Sequence, residues 1–240
     1  MSNTVIQAAA LIVPLIFAIV FHEVAHGLMA RALGDPTAEE RGRLSLNPLR
    51  HVDPIGTVVL PGILALTHLP VFGWAKPVPV VAERLRHPRR DMMLVGAAGP
   101  GSNLIMAAIA AVVLGLMLPS GLPQGLSLQE QFTSIQTQSF PVFFFALTMF
   151  LFIQINVYLA LFNLLPIPPF DGSHIVEGLL PEPMARSYAK FRTVGMLIPL
   201  VLIVLLPNLI PGFSVTQYIV GPVEWVISWY ARLAALVAGA

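Results

Sequence analysis

The residues of this chain most suited to chemistry form the pattern His-Glu-x-x-His, present as HEVAH at residues 22–26. On a helix, His22 and His26 lie one turn apart on the same face, so their imidazoles can bind one metal ion together. Glu23 lies beside them and could take a proton from water activated at that ion. The residue types and their spacing therefore predict a site for hydrolysis that depends on Zn²⁺.

These residues lie inside an apolar stretch, LIVPLIFAIVFHEVAHGLMARAL. A charged side chain at the centre of a membrane helix costs about 2.5–3.5 kcal/mol on insertion scales, so ionisable groups seldom persist there without a shared role. A cluster of histidine and glutamate joined only by hydrogen bonds is the alternative. The cost of placing three ionisable groups in such a stretch favours the metal site.

A catalytic zinc site with one open position needs a third protein ligand, and a chain without cysteine can supply only His, Asp or Glu. Asp53 lies in a loop, while Glu177 and Glu182 are close to basic residues. Asp171 follows the proline-rich stretch NLLPIPPF, where a membrane segment breaks at a depth similar to that of the histidines. We therefore predict Asp171 as the third ligand, with His174 near the site but not bound to the ion.

Composition indicates a polytopic membrane protein, because 56% of the residues are hydrophobic, 10% are charged and the mean hydropathy is +0.80. The net charge of +1 gives no indication of a nucleic-acid partner, and the absence of cysteine excludes disulfides. The first residues, MSNTVIQ, contain no Lys or Arg, so we expect a retained span and not a cleavable signal peptide.

Five apolar runs are candidates for crossing the bilayer. They lie at about 5–32, 93–118, 141–165 and 193–212, with a weaker run at about 219–239. A sixth stretch, 54–71, is short and interrupted by Pro61 and Gly62. The chain is thus predicted to be an all-α membrane protein with about five to six transmembrane helices. Residues 1–240 are expected to form a single domain, with a core at about 5–180 and C-terminal helices at about 190–240.

Arginines lie on both sides of the interrupted stretch, after the first span and before the next strong one. By the positive-inside rule both clusters are cytoplasmic, so residues 51–83 should leave and return on the same side as a re-entrant element. The first helix then runs inward. The nine residues from His22 to Arg31 place the metal site about 13 Å below the cytoplasmic surface.

The stretch FGWAKPVPV, residues 72–80, is predicted to be extended because its prolines fix φ and restrict the residues before them. Pro77 and Pro79 remove hydrogen-bond donors from one edge only. Lys76, Val78 and Val80 keep theirs on the other edge, which indicates an edge strand with one side free to pair. A loop stiffened by proline is an equal alternative.

The span at about 93–118 begins with the small-residue stretch GAAGPGSN. Gly96, Gly99 and Gly101 are small enough for another helix to approach closely. Asn103 is the polar residue in that wall. It is either an interhelical hydrogen-bonding residue or a donor to an oxyanion that develops during a reaction.

Three of these motifs in this order, HEVAH, GAAGPGSN and NLLPIPPFDG, resemble the site-2 protease family of intramembrane zinc metalloproteases. GRLSLNPLRHVDPIGT and FGWAKPVPV are similar to the branch of that family without a PDZ domain, and the resemblance covers most of residues 15–180.

The resemblance implies a core of three spans in which His22, His26 and Asp171 hold Zn²⁺ and Glu23 is the general base and acid. It also implies cleavage of a transmembrane protein substrate within the lipid bilayer, by a multi-pass protein whose active site lies towards the cytoplasm. Asn103 and Asn163 would contact the substrate or the transition state.

A different class of function is a membrane protein that binds metal without hydrolysing anything, or a metal-ion transporter. Transporters usually show inverted repeats and ionisable groups spaced along a path. Here the polar groups converge on one place.

Overall fold

The computed structural model describes residues 3–67, 74–119, 123, 125–135, 138–195, 197–210 and 214–239. Within these ranges the regular structure is helical. The α-helices are α1 (Asn3–Ala32), α2 (Thr37–Glu40), α3 (Leu60–Leu66), α4 (Pro88–Gly115), α5 (Leu128–Thr133), α6 (Phe140–Asn163), α7 (Gly172–Leu179), α8 (Glu182–Ala189), α9 (Leu197–Pro199), α10 (Leu206–Leu209) and α11 (Val215–Ala238). Short 3₁₀ turns cover Pro48–Arg50, Ala82–Arg84 and Lys190–Val194, and π-helical turns cover Pro54–Val59 and Leu200–Leu205.

Three of the described helices are long and apolar enough to cross a membrane, namely Ala10–Ala32 within α1, α4 and α6. Their 23, 28 and 24 residues correspond to about 34–42 Å at 1.5 Å per residue, compared with a hydrocarbon core of about 30 Å. The protein is therefore an all-helical membrane protein with three candidate spans among its described residues.

The further crossings predicted from sequence are not confirmed. The run at 193–212 is divided into the short turns Lys190–Val194, α9, Leu200–Leu205 and α10, and prolines within it interrupt a regular helix. The run at 219–239 does form one helix, α11, of 24 residues. That helix contains Glu224 and Arg232 and is not among those apolar enough to qualify.

The helix boundaries of the spans follow from local residues. α1 ends before Gly34, whose φ of 114° is in the left-handed region that glycine tolerates. α4 begins with Pro88, and the amide of His87 donates to the Asp91 carboxylate at 2.8 Å, which satisfies one of the unpaired donors at the helix start. α6 ends at Asn163, before Pro166, Pro168 and Pro169.

The described chain divides into two compact units. The first comprises Met1–Ala18, Gly101–Leu161 and Ile219–Ala240. Asn103 is fully buried in it and donates to the Ala18 carbonyl at 3.2 Å and to Asn156 Oδ1 at 2.8 Å. α11 is joined to this unit by hydrogen bonds from Gln131 to the Ala231 carbonyl and from Tyr230 to the Leu104 carbonyl.

The second unit comprises Ile19–Pro100 and Phe162–Tyr218 and contains HEVAH and Asp171. Residues 74–81, here called the proline segment, form neither helix nor strand in this unit. The edge strand predicted for residues 72–80 is therefore not confirmed, and Phe72 and Gly73 lie outside the described residues. An extended segment becomes a strand only by pairing with another, and the segment's backbone bonds to side chains and loops instead.

Asp35 anchors the C-terminal end of the proline segment. Its carboxylate is fully buried and accepts from the Val81 amide at 2.6 Å, from the Thr37 amide at 3.0 Å and from the Thr37 hydroxyl. Burial alone would raise the pKa of Asp35, but these three donors and the Arg84 charge together lower it. The lowered pKa means that the ionised form stabilises the fold.

We expect Asp35→Asn to lower the free energy of unfolding by about 1–3 kcal/mol at pH 7. The NH₂ group of asparagine would face a hydrogen-bond donor at the position where a carboxylate oxygen of Asp35 now accepts a hydrogen bond. A carboxyl group with a lowered folded-state pKa stabilises above its unfolded pKa, and that contribution is lost as the pH falls. Thermal unfolding in detergent should therefore give a higher Tm for wild type than for the variant at pH 7, and this difference in Tm should become smaller in acid. Glu39→Gln, at an exposed ion pair with Arg31, is the control; an equal effect there would contradict the role of Asp35.

Candidate metal centre

His22 and His26 are brought together by one turn of α1, as predicted. Both are buried, with 7% and 8% of their surfaces exposed, and their Nε2 atoms lie 3.0 Å apart. Their ring centroids are 4.6 Å apart and the rings are nearly perpendicular. Two imidazole nitrogens thus point at the same place from one helix face.

Asp171 reaches the same place from the second stretch of chain in this unit, Phe162–Tyr218. Its Oδ2 lies 3.1 Å from His22 Nε2 and 3.3 Å from His26 Nε2. The residue precedes α7, after a compact turn in which the rings of Phe162 and Phe170 pack at 4.6 Å. A Cβ at Gly172 would lie 2.2 Å from the Leu164 carbonyl oxygen, so this turn closes only around a glycine.

The ring of His26 is oriented by a backbone carbonyl. Its Nδ1 lies 2.7 Å from the carbonyl oxygen of Val95 in α4, so Nδ1 carries the proton and donates it to that oxygen. Nε2 of the neutral ring is then left with a lone pair towards His22 and Asp171. This is the arrangement by which proteins usually fix a metal-binding histidine.

Two of the three glycines singled out in α4 make room for the site. A Cβ at Gly99 would lie 2.4 Å from His26 Nε2, and one at Gly96 would lie 3.1 Å from the Asp171 carbonyl oxygen. A side chain at position 99 would therefore occupy the space of the ligand atoms. Among the described residues, no atom of a neighbouring element lies within 4 Å of a Cβ added at Gly101, so the prediction of close approach is not confirmed for that residue.

The geometry of the three side chains fits a zinc ion. In tetrahedral coordination with bonds of about 2.0–2.1 Å, ligand atoms are separated by about 3.3 Å, and the observed separations are 3.0, 3.1 and 3.3 Å. Asp171 Oδ2 is buried without a hydrogen-bond partner in the described structure. These are the three residues there that could hold a metal ion in common, and two nitrogens with one carboxylate oxygen suit Zn²⁺.

Glu23 lies next to His22 on α1 and accepts a hydrogen bond from the backbone amide of Val78, with 2.8 Å between the amide nitrogen and Oε2. The proline segment therefore contacts the predicted general base directly. Asp53, the alternative ligand considered from sequence, accepts from the amides of Ile55 and Gly56 instead and caps the turn that follows it.

The edge predicted to be free in the proline segment is mostly occupied within the chain. The Lys76 amide donates to the His51 carbonyl at 2.9 Å, and the Val78 amide donates to Glu23. Val80 packs its side chain against the cluster of Ala30, Leu85 and Val95. Of Lys76, Val78 and Val80, only Val80 has a backbone amide without a hydrogen-bond partner in the described structure.

The two predicted asparagines lie in different units. Asn103 makes the interhelical hydrogen bonds that were one of its two predicted roles, within the first unit. Asn163 is the last residue of α6 and belongs to the second unit.

A group of charges packs around Glu177 and His174, of which the sequence indicated only that Glu177 is close to basic residues. Arg192 donates to Glu177 and to His174 Nδ1, the latter at 3.1 Å, while Arg89 donates to the Glu177 carbonyl at 3.0 Å. These residues line a cavity of about 220 Å³. Burial and the Arg192 charge lower the pKa of His174 to about 4, so this histidine is neutral at physiological pH.

Sequence comparisons agree with this geometry. The model of Peptidase family M50 matches residues 10–206. "Putative zinc metalloprotease YwhC" of Bacillus subtilis (strain 168) is 38% identical over 194 residues, which cover 81% of this chain and 80% of that protein. "Putative zinc metalloprotease Rip2" of Mycolicibacterium smegmatis is 30% identical over 184 residues, which cover 76% of this chain and 62% of that protein.

No solved structure matches the chain. The family model covers more than half of the sequence and places the two histidines and Asp171 inside the matched region. The chain therefore belongs to peptidase family M50, the site-2 protease family of zinc metalloproteases.

Proposed function

We propose that this protein is an intramembrane zinc metalloprotease that cleaves peptide bonds of transmembrane protein substrates. His22, His26 and Asp171 hold Zn²⁺, and Glu23 is the general base. The observation that carries the proposal is that three ligand atoms lie within 3.3 Å of one another. Two of them belong to the candidate membrane helix α1, and the third belongs to the loop that follows the candidate membrane helix α6. Membrane-protein substrates and a lipid environment follow from family membership and from the three apolar helices.

The proposed reaction is hydrolysis of an amide. Held by His22, His26 and Asp171, Zn²⁺ would supply the Lewis acid for the attacking water and the scissile carbonyl. The Glu23 carboxylate accepts a proton as the water oxygen bonds to the carbonyl carbon. It returns that proton to the amide nitrogen as the carbon–nitrogen bond breaks, which yields a carboxylic acid and an amine. The second proton of the water then passes from the acid to the amine or to solvent, which leaves a carboxylate. His26 is kept in one orientation by the Val95 carbonyl and does not transfer a proton.

The position of the site supports cleavage inside the bilayer, near its cytoplasmic face. From His22 to the end of α1 at Ala32 is ten residues, or about 15 Å. Pro54–Leu66 contains 13 residues as a π-helical turn and α3, or about 20 Å, which is short for a span. We propose that it is re-entrant, that 193–212 and α11 complete five to six membrane segments, and that residues 1–240 act as one protease domain.

A helical substrate must unwind before cleavage, because its carbonyls are already hydrogen-bonded within the helix. Pairing with an extended segment would replace some of those bonds. Lys76 and Val78 already use their amides within the chain, so we assign substrate pairing to the amide of Val80. Asn103 and Asn163 remain proposed contacts for the substrate or the transition state.

Replacing Asp171 with alanine should remove bound zinc, because two imidazoles alone leave the ion without a third protein ligand. Zinc is measured by elemental mass spectrometry on detergent-purified protein after passage through a desalting column. His87→Ala, at an exposed histidine, is the matched control and should retain one zinc per chain. A full zinc complement in Asp171→Ala would exclude Asp171 as a ligand.

Glu23→Gln should keep the zinc but lower the cleavage rate of a model transmembrane peptide at least 100-fold, since glutamine cannot accept the proton. Glu83→Gln changes an exposed glutamate and should cleave normally. Wild-type protein treated with a chelator should also lose cleavage. If the purified wild type binds zinc but never cleaves peptide in vesicles, the metal-binding or transport alternative gains support.

Val80→Pro should raise the KM for a transmembrane peptide severalfold with zinc content unchanged, because it deletes the amide assigned to substrate pairing. Val80→Ala keeps that amide and reduces only the side-chain packing, so it separates the two contributions. Equal KM changes in the two variants would assign the effect to packing and contradict the pairing.

A further inference from the structure

Arg43 is a buried arginine whose charge has no carboxylate partner. Only 8% of its surface is exposed, and it forms no ion pair in the part of the chain that the structure describes. Its Nε also has no hydrogen-bond partner there. Burying a guanidinium is costly, because the charge loses its hydration unless an opposite charge or hydrogen bonds replace it. Such a cost points to a role for the charge at this place.

The guanidinium of Arg43 is directed at the backbone of the proline segment. Its Nη2 donates to the Lys76 carbonyl at 2.7 Å and approaches the Pro77 carbonyl at 3.4 Å. The first is a strong hydrogen bond between a charged donor and a backbone oxygen, and the second is longer and weaker. Arg43 therefore holds the segment from its carbonyl side.

The opposite side of the same peptide bond contacts Glu23. The carbonyl of Pro77 and the amide of Val78 belong to one peptide unit, in which the C=O and N–H of a trans bond point in opposite directions. Arg43 lies at the carbonyl end, and Glu23 Oε2 accepts from the amide end at 2.8 Å. A cation and an anion are thus placed at the negative and positive ends of one peptide dipole. Each polarises the peptide in the sense that strengthens the other bond.

The local sequence keeps this peptide unit in one orientation. Pro77 has a fixed φ, and Val78 is confined to extended conformations because it precedes Pro79. The Val78 side chain is buried, at 7% exposure, and a Cβ at Gly27 would lie 2.9 Å from its Cγ1. Gly27 therefore lets α1 and the proline segment approach closely enough for the bond to Glu23.

We propose that Arg43 is a positioning residue for the general base, acting on Glu23 through the Pro77–Val78 peptide bond. One carboxylate oxygen of Glu23 is held by the Val78 amide, which directs the other oxygen to proton transfer. Arg43 does not touch substrate or metal. The inference rests on the proposed function of Glu23, but the peptide-bridged contact itself can be tested without zinc or substrate.

The contact is measured by hydrogen–deuterium exchange of zinc-free protein in detergent, followed by mass spectrometry of peptides that cover residues 74–81. The prolines lack amides, so few exchanging sites share the peptide with Val78. We expect the Val78 amide to be protected in wild type and to lose at least tenfold protection in Arg43→Gln and in Glu23→Ala. Arg41→Gln removes an exposed arginine two residues away and should keep the protection. Unchanged protection in Arg43→Gln would overturn the proposal, even where Glu23→Ala loses it.

The kinetic consequence is measured on the zinc-loaded enzyme. Arg43→Gln should lower kcat for a transmembrane peptide about tenfold or more, as for loss of a charge-assisted hydrogen bond in the transition state. KM and zinc content should change by less than about twofold. Arg43→Lys should recover part of the rate, because an ammonium keeps a positive charge near the Pro77 carbonyl. A raised KM with kcat retained would assign Arg43 to substrate binding and contradict the proposal.

Combining Arg43→Gln with Glu23→Gln separates positioning from general stability. If Arg43 acts through Glu23, the double variant should be no slower than Glu23→Gln alone, whereas independent effects would multiply. If Arg43→Gln does not fold, Arg43→Lys takes its place in the exchange experiment, where partial loss of protection at the Val78 amide is expected and unchanged protection would contradict the proposal. Should wild type fail to bind zinc or to cleave, the proposed function fails, while the exchange result still decides whether the peptide bond joins Arg43 to Glu23.

Discussion

Three atoms with lone pairs, Nε2 of His22, Nε2 of His26 and Oδ2 of Asp171, lie within 3.3 Å of one another where burial limits access of water. A carboxylate removed from water is costly without a compensating positive charge, so this arrangement favours a cation at its centre. Three features of the surrounding structure allow these atoms to come together. α1 continues as a helix through both histidines, the chain after α6 breaks early enough to present Asp171, and α4 has glycine at position 99.

The parts of this site that could be predicted from sequence are those with a local cause. His22 and His26 are joined by the helical repeat alone, and Asp171 follows prolines that end a span. The structure places the three side chains together, while their binding of zinc stays a prediction. The remaining contacts depend on residues distant in sequence. The carbonyl of Val95 that orients His26 leaves no side-chain pattern, and Arg43 is one of several arginines whose evident use from sequence was to mark the cytoplasmic side.

The fold shows the same division between local and distant causes. α1, α4 and α6 are long and predominantly apolar, with few charged residues in each span, so length and composition suffice to identify them. For residues 72–80 the sequence left an edge strand and a loop stiffened by proline as equal alternatives, because proline alternation restricts the backbone. The described part of that stretch is a loop. Forming a strand would require a second strand as its partner. Glu23 and the His51 carbonyl take the donors that such a partner would use.

Non-helical backbone near membrane depth must have its polar groups satisfied within the protein. In the proline segment, charged side chains supply several of the partners: Arg43 for the Lys76 carbonyl, Glu23 for the Val78 amide and Asp35 for the Val81 amide. Two prolines reduce the number of amides that need an acceptor. The general base is therefore also part of the backbone hydrogen bonding of this segment, so a carboxylate next to His22 serves the fold and the chemistry together. An alanine there would leave the Val78 amide without its acceptor even in a protein that never bound metal.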